Sequence, residues 1–463
     1  MSGPVMPTYR IVTLGCKLNQ ADAGLVEARL RALGLTRAGD PAPGSGAAAG
    51  PAADLVVLNT CTVTSGADRE ARQIARRLRR DNPRAVLIAT GCYAERDPES
   101  LRKDTGIDHV VGLREPAARL PAIAAAALGL PFEPEGRALG AEGATTGCDP
   151  YADPADRTRA YLKIQDGCDL RCSYCIIPAV RGGSRSVPME QVARRIGTLV
   201  AAGFREIVFT GVNTGDWGRD LEPPRRLSDL LDRCLGVPGL GRIRLNSLEP
   251  RTITPAIVAL LAAGVRLAPH LQVPLQSGCD AVLARMRRPY RTGDYAALAG
   301  ALRRAVPDIG LGADVIAGFP GETEAEFRAT HDFIAASPLN YLHVFSYSPR
   351  PGTPAAALPR PVPPGAIRER SAALRTLGRE RSLAFRSSFV GRELEVLTLR
   401  AVRPGGRLRA LTGNFIDLEL ELDGREPASL MNRLLRARVT RASDAATEAV
   451  LVSAADGCRS GAA

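Results

Sequence analysis

The chain has 463 residues, of which 45% are hydrophobic and 24% charged, so it can bury several cores and we expect two to four domains. Its apolar runs are short and bounded by proline, and the first residues lack a basic segment followed by an apolar one; we expect no membrane span, no secretion signal and a cytoplasmic location. A net charge of +12 is compatible with a polyanionic partner, although a genome that favours arginine would give the same excess.

The first part of the chain alternates short apolar strands with amphipathic helices. The predicted strands, rich in Val, Ile and Leu, are residues 9–15, 54–60, 85–91 and 108–112. This repeat predicts a parallel sheet with helices on its faces, in a domain of residues 1–130. A Gly/Ala/Pro-rich insertion at 38–53 and a polar linker at 131–157 lack the apolar residues for a core.

The strand–helix pattern then restarts and repeats six times. The predicted strands of this second part are residues 160–165, 206–211, 242–247, 269–275, 311–318 and 341–347. Six parallel units predict a partial, TIM-like (β/α)6 barrel, which we assign to residues 158–365.

The last part begins with an Arg-rich helix, predicted from Ile367 to Phe389, in a connecting segment of residues 366–389. Three strands with a period of two follow, at residues 393–399, 415–422 and 434–440. They predict a small antiparallel β-barrel over residues 390–455. The fold class is therefore α/β, with an N-terminal parallel sheet, a central partial barrel and a C-terminal β-barrel.

Three cysteines, Cys168, Cys172 and Cys175, follow directly after the first barrel strand, where parallel barrels carry their active-site loops. A structural zinc would need a fourth ligand that is missing nearby, and a disulfide would leave one thiol over and need an oxidising compartment. Plain core cysteines would not account for the flanking Gly, Asp and Arg. Soft thiolates suit an iron–sulfur cluster, and three of them on four irons leave one iron open.

This C-x3-C-x2-C motif, with an aromatic residue before its last cysteine, resembles that of the radical S-adenosylmethionine (SAM) superfamily. The resemblance implies that the three cysteines are catalytic and hold a 4Fe–4S cluster that binds SAM. It also implies that an electron from a reductant protein cleaves SAM to a 5′-deoxyadenosyl radical. Residues after other barrel strands are then expected to contact SAM, although each could equally belong to an ordinary turn. These predicted contacts are Thr210, Gly211, Asn213, Ser247, Glu249, Gln272, Gly318 and Pro320.

Three further cysteines, Cys16, Cys61 and Cys92, each follow one of the first three strands of the N-terminal sheet. Because the carboxyl ends of parallel strands share one edge, these thiols are expected to meet there. A lone cysteine is more often a small buried hydrophobe, but three at equivalent positions indicate a second three-thiolate cluster. The remaining cysteines receive no ligand role; they are Cys148, Cys234, Cys279 and Cys458.

Two cysteine trios in this order, followed by a small β-barrel, are similar to the methylthiotransferases along nearly the whole chain. The resemblance implies a second 4Fe–4S cluster that carries or donates sulfur, and SAM as both methyl donor and radical source. The product would contain a C–S–CH3 group. The resemblance also implies that the last unit is an RNA-binding TRAM barrel, which agrees with the basic composition. The source of the sulfur is not indicated.

Four stretches, TLGCKLNQAD, NTCTVTSGADREARQ, YLKIQDGCD and IIPAVRGGSRS, resemble the branch that acts on N6-threonylcarbamoyladenosine at position 37 of tRNA, in the anticodon loop. Alternatives are the isopentenyladenosine branch, the branch that modifies a ribosomal-protein aspartate, a radical SAM enzyme of another reaction type, and a non-catalytic tRNA-binding protein. Arg181 and Arg185 are predicted to contact RNA phosphate or the substrate's carboxylate; a solvated loop would carry the same residues.

Overall fold

Three units follow one another along the chain: a parallel sheet, a partial barrel and a small closed β-barrel, which confirms the predicted fold class. Cys148 and Cys458 lie outside the described residues. Of the predicted insertion and linker, only the ends are described. The domain boundaries remain predictions. The computed structural model describes residues 6–39, 53–103, 105–113, 119–132 and 158–452.

The N-terminal unit is a five-stranded parallel sheet with the order β2-β1-β3-β4-β5. Its central strand is buried along its whole length, as its continuous apolar run predicts. Strand β2 was not predicted because two residues carry no periodicity. The strands are β1 (Thr8–Thr13), β2 (Thr36–Arg37), β3 (Leu55–Thr60), β4 (Val86–Gly91) and β5 (His109–Val110). The helices are α1 (Lys17–Ala32), α2 (Ser65–Asp81), α3 (Cys92–Arg96), α4 (Pro98–Arg102) and α5 (Arg119–Leu128).

The central unit is built on six parallel strands in two sheets, β6-β9-β10 and β11-β12-β13, linked by one parallel bridge from Ile243 to Leu267. In the part of the chain that the structure describes, no ladder joins β13 to β6, so the barrel is open. The six strands are β6 (Arg159–Lys163), β9 (Glu206–Thr210), β10 (Arg242–Leu245), β11 (His270–Gln272), β12 (Gly310–Ala317) and β13 (Tyr341–Ser346). Between β6 and β9 in the chain, β7 (Gln165–Asp166) and β8 (Arg185–Ser186) form a short antiparallel pair.

Helices cover the outside of this barrel, and their apolar stripes form the largest core of the molecule with the outward side chains of the strands. The helices are α6 (Ile177–Arg181), α7 (Met189–Ala201), α8 (Leu227–Leu235), α9 (Pro255–Ala263), α10 (Asp280–Arg285), α11 (Thr292–Ala305) and α12 (Glu324–Ala336). Short 3-10 turns occur at Thr214–Asp216, Pro250–Thr252 and Pro354–Ala357. On α7, for example, Val192, Ile196 and Leu199 are buried against this core, and Val200 is partly buried.

The C-terminal unit follows the predicted Arg-rich helix, α13 (Pro364–Ser387). Five strands close into a barrel with the order β14-β15-β16-β18-β17, and the β16–β18 pair is parallel where we predicted antiparallel pairing throughout. The strands are β14 (Glu393–Val402), β15 (Leu408–Thr412), β16 (Asp417–Glu421), β17 (Leu434–Ala442) and β18 (Thr447–Leu451), and α14 (Pro427–Leu430) precedes β17.

Two of these strands, β15 and β18, were missed by the sequence analysis. Their sequences, LRALT and TEAVL, consist mainly of residues that favour helices, so local propensity does not indicate a strand. Burial between neighbouring strands of the barrel decides their conformation.

Among the described residues, no helix is both long enough and apolar enough to cross a membrane.

A buried ion-pair network joins the central barrel to the C-terminal one. Glu206, at the start of β9, accepts hydrogen bonds from Arg242 Nε at 2.5 Å and from Arg244 Nε at 2.9 Å. The same guanidinium groups donate to the carbonyl oxygens of Leu411 and Thr412 in the C-terminal barrel, at 2.9 and 3.0 Å. Burial alone would raise the pKa of Glu206, but the two arginines outweigh it and hold that pKa well below its ordinary value.

Candidate active site

The first cysteine trio lies in the loop between β7 and α6, at the rim formed by the carboxyl ends of the barrel strands. Cys168 and Cys172 are 8% and 7% exposed, and Cys175 is partly buried. Burial raises the pKa of Cys168 to about 11 and that of Cys175 to about 12. These thiols are therefore protonated at neutral pH in the metal-free chain, and binding of a metal cluster must displace their protons.

Arg288 is the cation beside this trio. Its Nη1 donates a hydrogen bond to Cys172 Sγ at 3.1 Å, and its Nη2 donates to Glu249 Oε2. Burial raises the pKa of Glu249, and the attraction of Arg288 opposes that rise. Arg288 thus connects a predicted SAM contact to the cysteine motif. The sequence analysis missed it because the stretch RMRRPYR contains several arginines and nothing in it distinguishes this one.

A cavity of about 340 Å³ opens beside Cys172 and Cys175, within the size range of small-ligand pockets. Its other lining residues are Arg171, Pro178, Ala179, Arg287 and Pro354. In the described ranges no group of three or more His, Cys, Asp or Glu is arranged to hold a single metal ion. Thiolates on a four-iron cluster each bind a different iron atom and lie farther apart. The soft donor set, its neighbouring cation and the cavity fit a 4Fe–4S cluster.

The predicted SAM contacts after β9 are tied to the cysteine loop by Gln165. Its Oε1 accepts the backbone N–H of Asn213 at 3.0 Å, and its Nε2 donates to the carbonyl oxygen of Gly167 at 2.8 Å. Thr210 ends β9 and is fully buried, and Gly211 follows it in the same turn. The buried Oδ1 of Asn213 has no hydrogen-bond partner within the described chain, so this acceptor is available to a bound ligand.

The other predicted contacts surround the same barrel. Ser247 follows β10 with a φ of +57°. Gln272 lies inside the barrel, where its Nε2 donates to Asp314 Oδ1 at 2.6 Å. Gly318 and Pro320 form the buried turn after β12. Glu249 accepts a hydrogen bond from Arg288, the arginine that contacts Cys172. The contacts of all these residues with SAM remain predictions.

The second trio comes together at the carboxyl edge of the N-terminal sheet. The thiols of Cys16 and Cys92 lie 3.7 and 3.8 Å from the same atom, Asn19 Oδ1. Gly15 has a φ of +96°, and a Cβ on it would lie 2.8 Å from Cys61 Sγ, so only glycine lets the end of β1 approach the second cysteine this closely. The structure thus places three thiols from three strands side by side; their role as ligands remains a prediction.

The three thiols of this trio differ in burial. Cys16 is exposed at the N-cap of α1, whereas Cys61 and Cys92 are buried. Burial raises the pKa of Cys61, and it raises the pKa of Cys92 to about 12, against the opposing effect of Arg181. Cluster binding here also requires the loss of thiol protons.

Arg181 has partners other than those predicted for it. The side chain is buried; Nη2 donates to Asp22 at 2.9 Å, Nη1 to Asp166 at 3.0 Å and Nε to Cys92 Sγ at 3.3 Å. Because the guanidinium is occupied inside the protein, the structure assigns it to the second trio instead of RNA phosphate or substrate, which corrects the sequence analysis. Arg185 is exposed, and its RNA contact stays a prediction.

Helix α6 connects the two trios. It begins two residues after Cys175 and ends at Arg181, which contacts Cys92. Ile176 and Val180, at either end of this helix, pack against Cys92 in one small apolar cluster. The loop that carries the first trio is therefore packed directly against the second.

We expect Arg181→Met to weaken the predicted second cluster while leaving the first in place. Removing an outer partner of a metal ligand typically lowers metal affinity by about 10- to 100-fold, and here the half-buried Asp22 and Asp166 also lose one of the two cations they share. Iron and sulfide content after a chelator wash, with EPR of the reduced protein, measures the loss. Arg185→Gln, an exposed arginine in the same region, is the control. Equal iron retention by both variants would contradict the assignment.

Comparison with known proteins supports this description of the two parts. Residues 162–334 match the model of the radical SAM superfamily, and residues 8–112 match that of an uncharacterized protein family, UPF0004. A solved structure with a similar fold is the radical SAM methyltransferase TsrM from Kitasatospora setae, with a TM-score of 0.55 and 19% identity, covering 76% of this chain and 77% of that one. At this identity the similarity concerns the fold alone.

Two groups of curated relatives align along most of the chain. The threonylcarbamoyladenosine tRNA methylthiotransferase MtaB of Bacillus subtilis is 33% identical over 94% of both chains. The tRNA-2-methylthio-N(6)-dimethylallyladenosine synthase of Acidothermus cellulolyticus is 34% identical over 96% of this chain and 86% of its own. Superfamily membership implies SAM and a 4Fe–4S cluster as cofactors. With its radical SAM barrel and relatives that match it from end to end, this chain belongs to the methylthiotransferase family of radical SAM enzymes.

Proposed function

We propose that this enzyme converts N6-threonylcarbamoyladenosine, next to the anticodon of tRNA, into its 2-methylthio derivative. The observation that carries the proposal is the alignment with the Bacillus subtilis relative, which extends over 94% of both chains and so includes all three units. A dimethylallyladenosine substrate is the second candidate, because relatives with that name are similar to the same extent.

In this proposal each cysteine trio holds one cluster with its own role. Cys168, Cys172 and Cys175 hold the cluster that binds SAM, and Cys16, Cys61 and Cys92 hold a second 4Fe–4S cluster. When bound, these groups supply a radical for hydrogen abstraction, a methyl group and the sulfur. The packing of both trios against α6 supports the proposal, because the sulfur must be delivered close to where the radical forms.

In this proposal the chain's own residues position the cysteine loop and the SAM-contacting turns, and they shield the barrel interior from water. Arg288 neutralises negative charge on the first trio and fixes Glu249, and Gln165 holds the turn of Asn213 against the cysteine loop. The C-terminal barrel contacts the inner end of the central barrel through its 411–415 segment, where the ring of Phe415 stacks on His270 at 4.4 Å. These contacts limit the access of water to the barrel interior, as radical chemistry requires.

Mass spectrometry of tRNA nucleosides from cells with and without this gene tests the proposal. We expect the 2-methylthio form to disappear and N6-threonylcarbamoyladenosine to accumulate, and a plasmid copy of the gene should restore the parent pattern. Accumulation of dimethylallyladenosine would instead assign the enzyme to the second candidate. An unchanged nucleoside profile would contradict tRNA as the substrate and favour a ribosomal-protein target or another radical reaction.

A reductant protein and a sulfur donor complete the proposed reaction. The SAM-binding cluster needs one electron for each cleavage, and sulfur inserted into the base must be replaced after each turnover. The cavity beside Cys172 and Cys175, lined by Arg171 and Arg287, is one route by which small molecules reach the first trio.

A further inference from the structure

Lys17 extends from the N-terminal unit into the interior of the central barrel. It follows Cys16 as the first residue of α1, and its Nζ donates a hydrogen bond to Asn246 Oδ1, just after β10, at 3.1 Å. The same ammonium group lies 5.6 Å from the centre of the Phe415 ring, in the C-terminal unit. All three units therefore meet around this half-buried amine.

Within the described residues, Lys17 has no carboxylate at ion-pair distance. Lys163, at the carboxyl end of β6, pairs with Asp22 at 2.6 Å and Asp166 at 3.4 Å. The hydrogen-bond partner of Lys17 is a neutral amide, and an ammonium group removed from water without an anion is unfavourable. The charge of Lys17 is therefore uncompensated by the described chain, which favours binding of an anion next to it.

The charged groups nearest to Lys17 have an excess of positive charge. Arg159 and Arg244 oppose its charge, while Glu206 and Asp314 favour it. However, Glu206 is already bonded to two arginines, and Asp314 accepts hydrogen bonds from neighbouring side chains of the barrel. Neither carboxylate forms an ion pair with Lys17 in the described chain, so an anion supplied by a ligand would be its first charged partner.

The choice of lysine at this position is unusual for this chain. Of its 61 lysines and arginines only three are lysines, Lys17, Lys103 and Lys163, and the side chains of Lys17 and Lys163 both bridge the N-terminal unit and the central barrel. Lys103 is exposed at the end of α4. A lysine presents a compact point charge with rotatable donors, whereas arginine needs space for a planar fork. Lys17 therefore suits a confined site that binds one anionic group.

We propose that Lys17 binds the carboxylate of the threonyl group and so selects N6-threonylcarbamoyladenosine over dimethylallyladenosine. The inference rests on the proposed function. The threonylcarbamoyl substituent ends in a carboxylate, whereas a dimethylallyl group is an uncharged hydrocarbon that would leave the ammonium unpaired. Lys17 takes the carboxylate role that the sequence analysis gave to Arg181, whose guanidinium is occupied elsewhere.

The chemistry of adenine agrees with this placement. The carbon that receives sulfur, C2, and the substituted nitrogen, N6, flank N1 on the same edge of the base. A residue that holds the N6 substituent must therefore lie on the same side as the group that delivers sulfur. Lys17 is adjacent in sequence to Cys16, a predicted ligand of the second cluster.

The test compares the binding of three anticodon stem-loop RNAs that differ only at the modified adenosine. One carries N6-threonylcarbamoyladenosine, one its methyl ester, which removes the negative charge, and one unmodified adenosine. Fluorescence anisotropy with the cluster-loaded protein gives each affinity. We expect the parent protein to bind the acid about tenfold more tightly than the ester, as for one charge-assisted hydrogen bond, and Lys17→Gln to bind both equally.

Two further variants and a chemical control accompany this test. Lys17→Arg, which keeps the charge, should retain part of the preference, and Lys103→Gln, at an exposed lysine, should behave as the parent. Iron content must be the same in all variants, since Lys17 adjoins a cysteine. An acid-over-ester preference that persists in Lys17→Gln, or is missing in the parent, overturns the proposal.

A separate assay distinguishes this failure from a failure of the proposed function. The parent protein is incubated with the acid stem-loop, SAM and a reductant, and the methylthio product is measured. Product formation without an acid-over-ester preference would refute the role of Lys17 and leave the function intact. Tighter binding of a dimethylallyladenosine stem-loop, with product from it alone, would refute both.

Discussion

Cys172→Ala is expected to reduce methylthiolation of tRNA to background. Cys172 lines the cavity together with Cys175 and accepts a hydrogen bond from Arg288, so its removal leaves two ligands and a buried guanidinium without its sulfur partner. A cluster with two thiolates does not present a single open iron to SAM. Nucleoside mass spectrometry of a complemented deletion strain measures the activity, and SAM cleavage by the purified protein measures the loss of the radical reaction.

Cys234→Ala is the matched control for this variant. Cys234 is also a buried cysteine of the central unit, but it packs on α8 in the apolar core, away from both trios. It should keep both iron and activity. Binding of tRNA should be unchanged in both variants, because the loss is chemical. Retention of activity by Cys172→Ala would exclude the radical mechanism, and a loss of tRNA affinity would favour a structural role for the cluster.

Glu206→Gln is expected to lower the free energy of unfolding of the central barrel by about 3–5 kcal/mol, because it leaves buried arginines without their counter-ion. Trp217 is the only tryptophan of the chain and is buried in the core of this barrel, so its fluorescence during denaturant unfolding reports on this unit. The variant should also loosen the C-terminal barrel, whose carbonyl groups bind the same guanidinium groups, and increase its cleavage by protease.

The double variant Glu206→Gln, Arg244→Met is the control for this mechanism. If an uncompensated charge causes the loss, removing one of the two arginines should recover part of the stability, and the two effects should not add. Glu190→Gln, in an exposed ion pair with Arg233, should leave the free energy of unfolding nearly unchanged, because solvent screens such a pair. A shift of similar size for Glu206→Gln would show that the network does not stabilise the barrel.

In each trio, one buried arginine donates a hydrogen bond to one of the three cysteines. Arg288 donates to Cys172, and Arg181 donates to Cys92. Each guanidinium also bonds to carboxylates, which fixes its position: Glu249 for the first and Asp22 with Asp166 for the second. A fixed positive charge beside thiolate ligands favours the deprotonated state that cluster binding requires.

The sequence alone was sufficient for features that depend on local pattern. Apolar runs identified the strands of the two parallel units except the two-residue strands β2, β7 and β8. A cysteine after each of the first three predicted strands indicated which thiols would meet, because parallel strands end at one edge. The motif at Cys168, Cys172 and Cys175 was sufficient to predict the superfamily, because three thiolates at this spacing serve few other purposes.

The tertiary structure alone decided which charged side chains contact the thiols and where Lys17 lies. Arg288 and Cys172 are 116 residues apart, and Arg181 and Cys92 are 89 apart, so no local pattern links them. The same holds for Lys17, whose amide partner is 229 residues away, and for β15 and β18, whose helix-favouring residues become strands through pairing. Spacing and periodicity describe neighbours along the chain, whereas charge compensation and strand pairing depend on which distant segments the fold brings into contact.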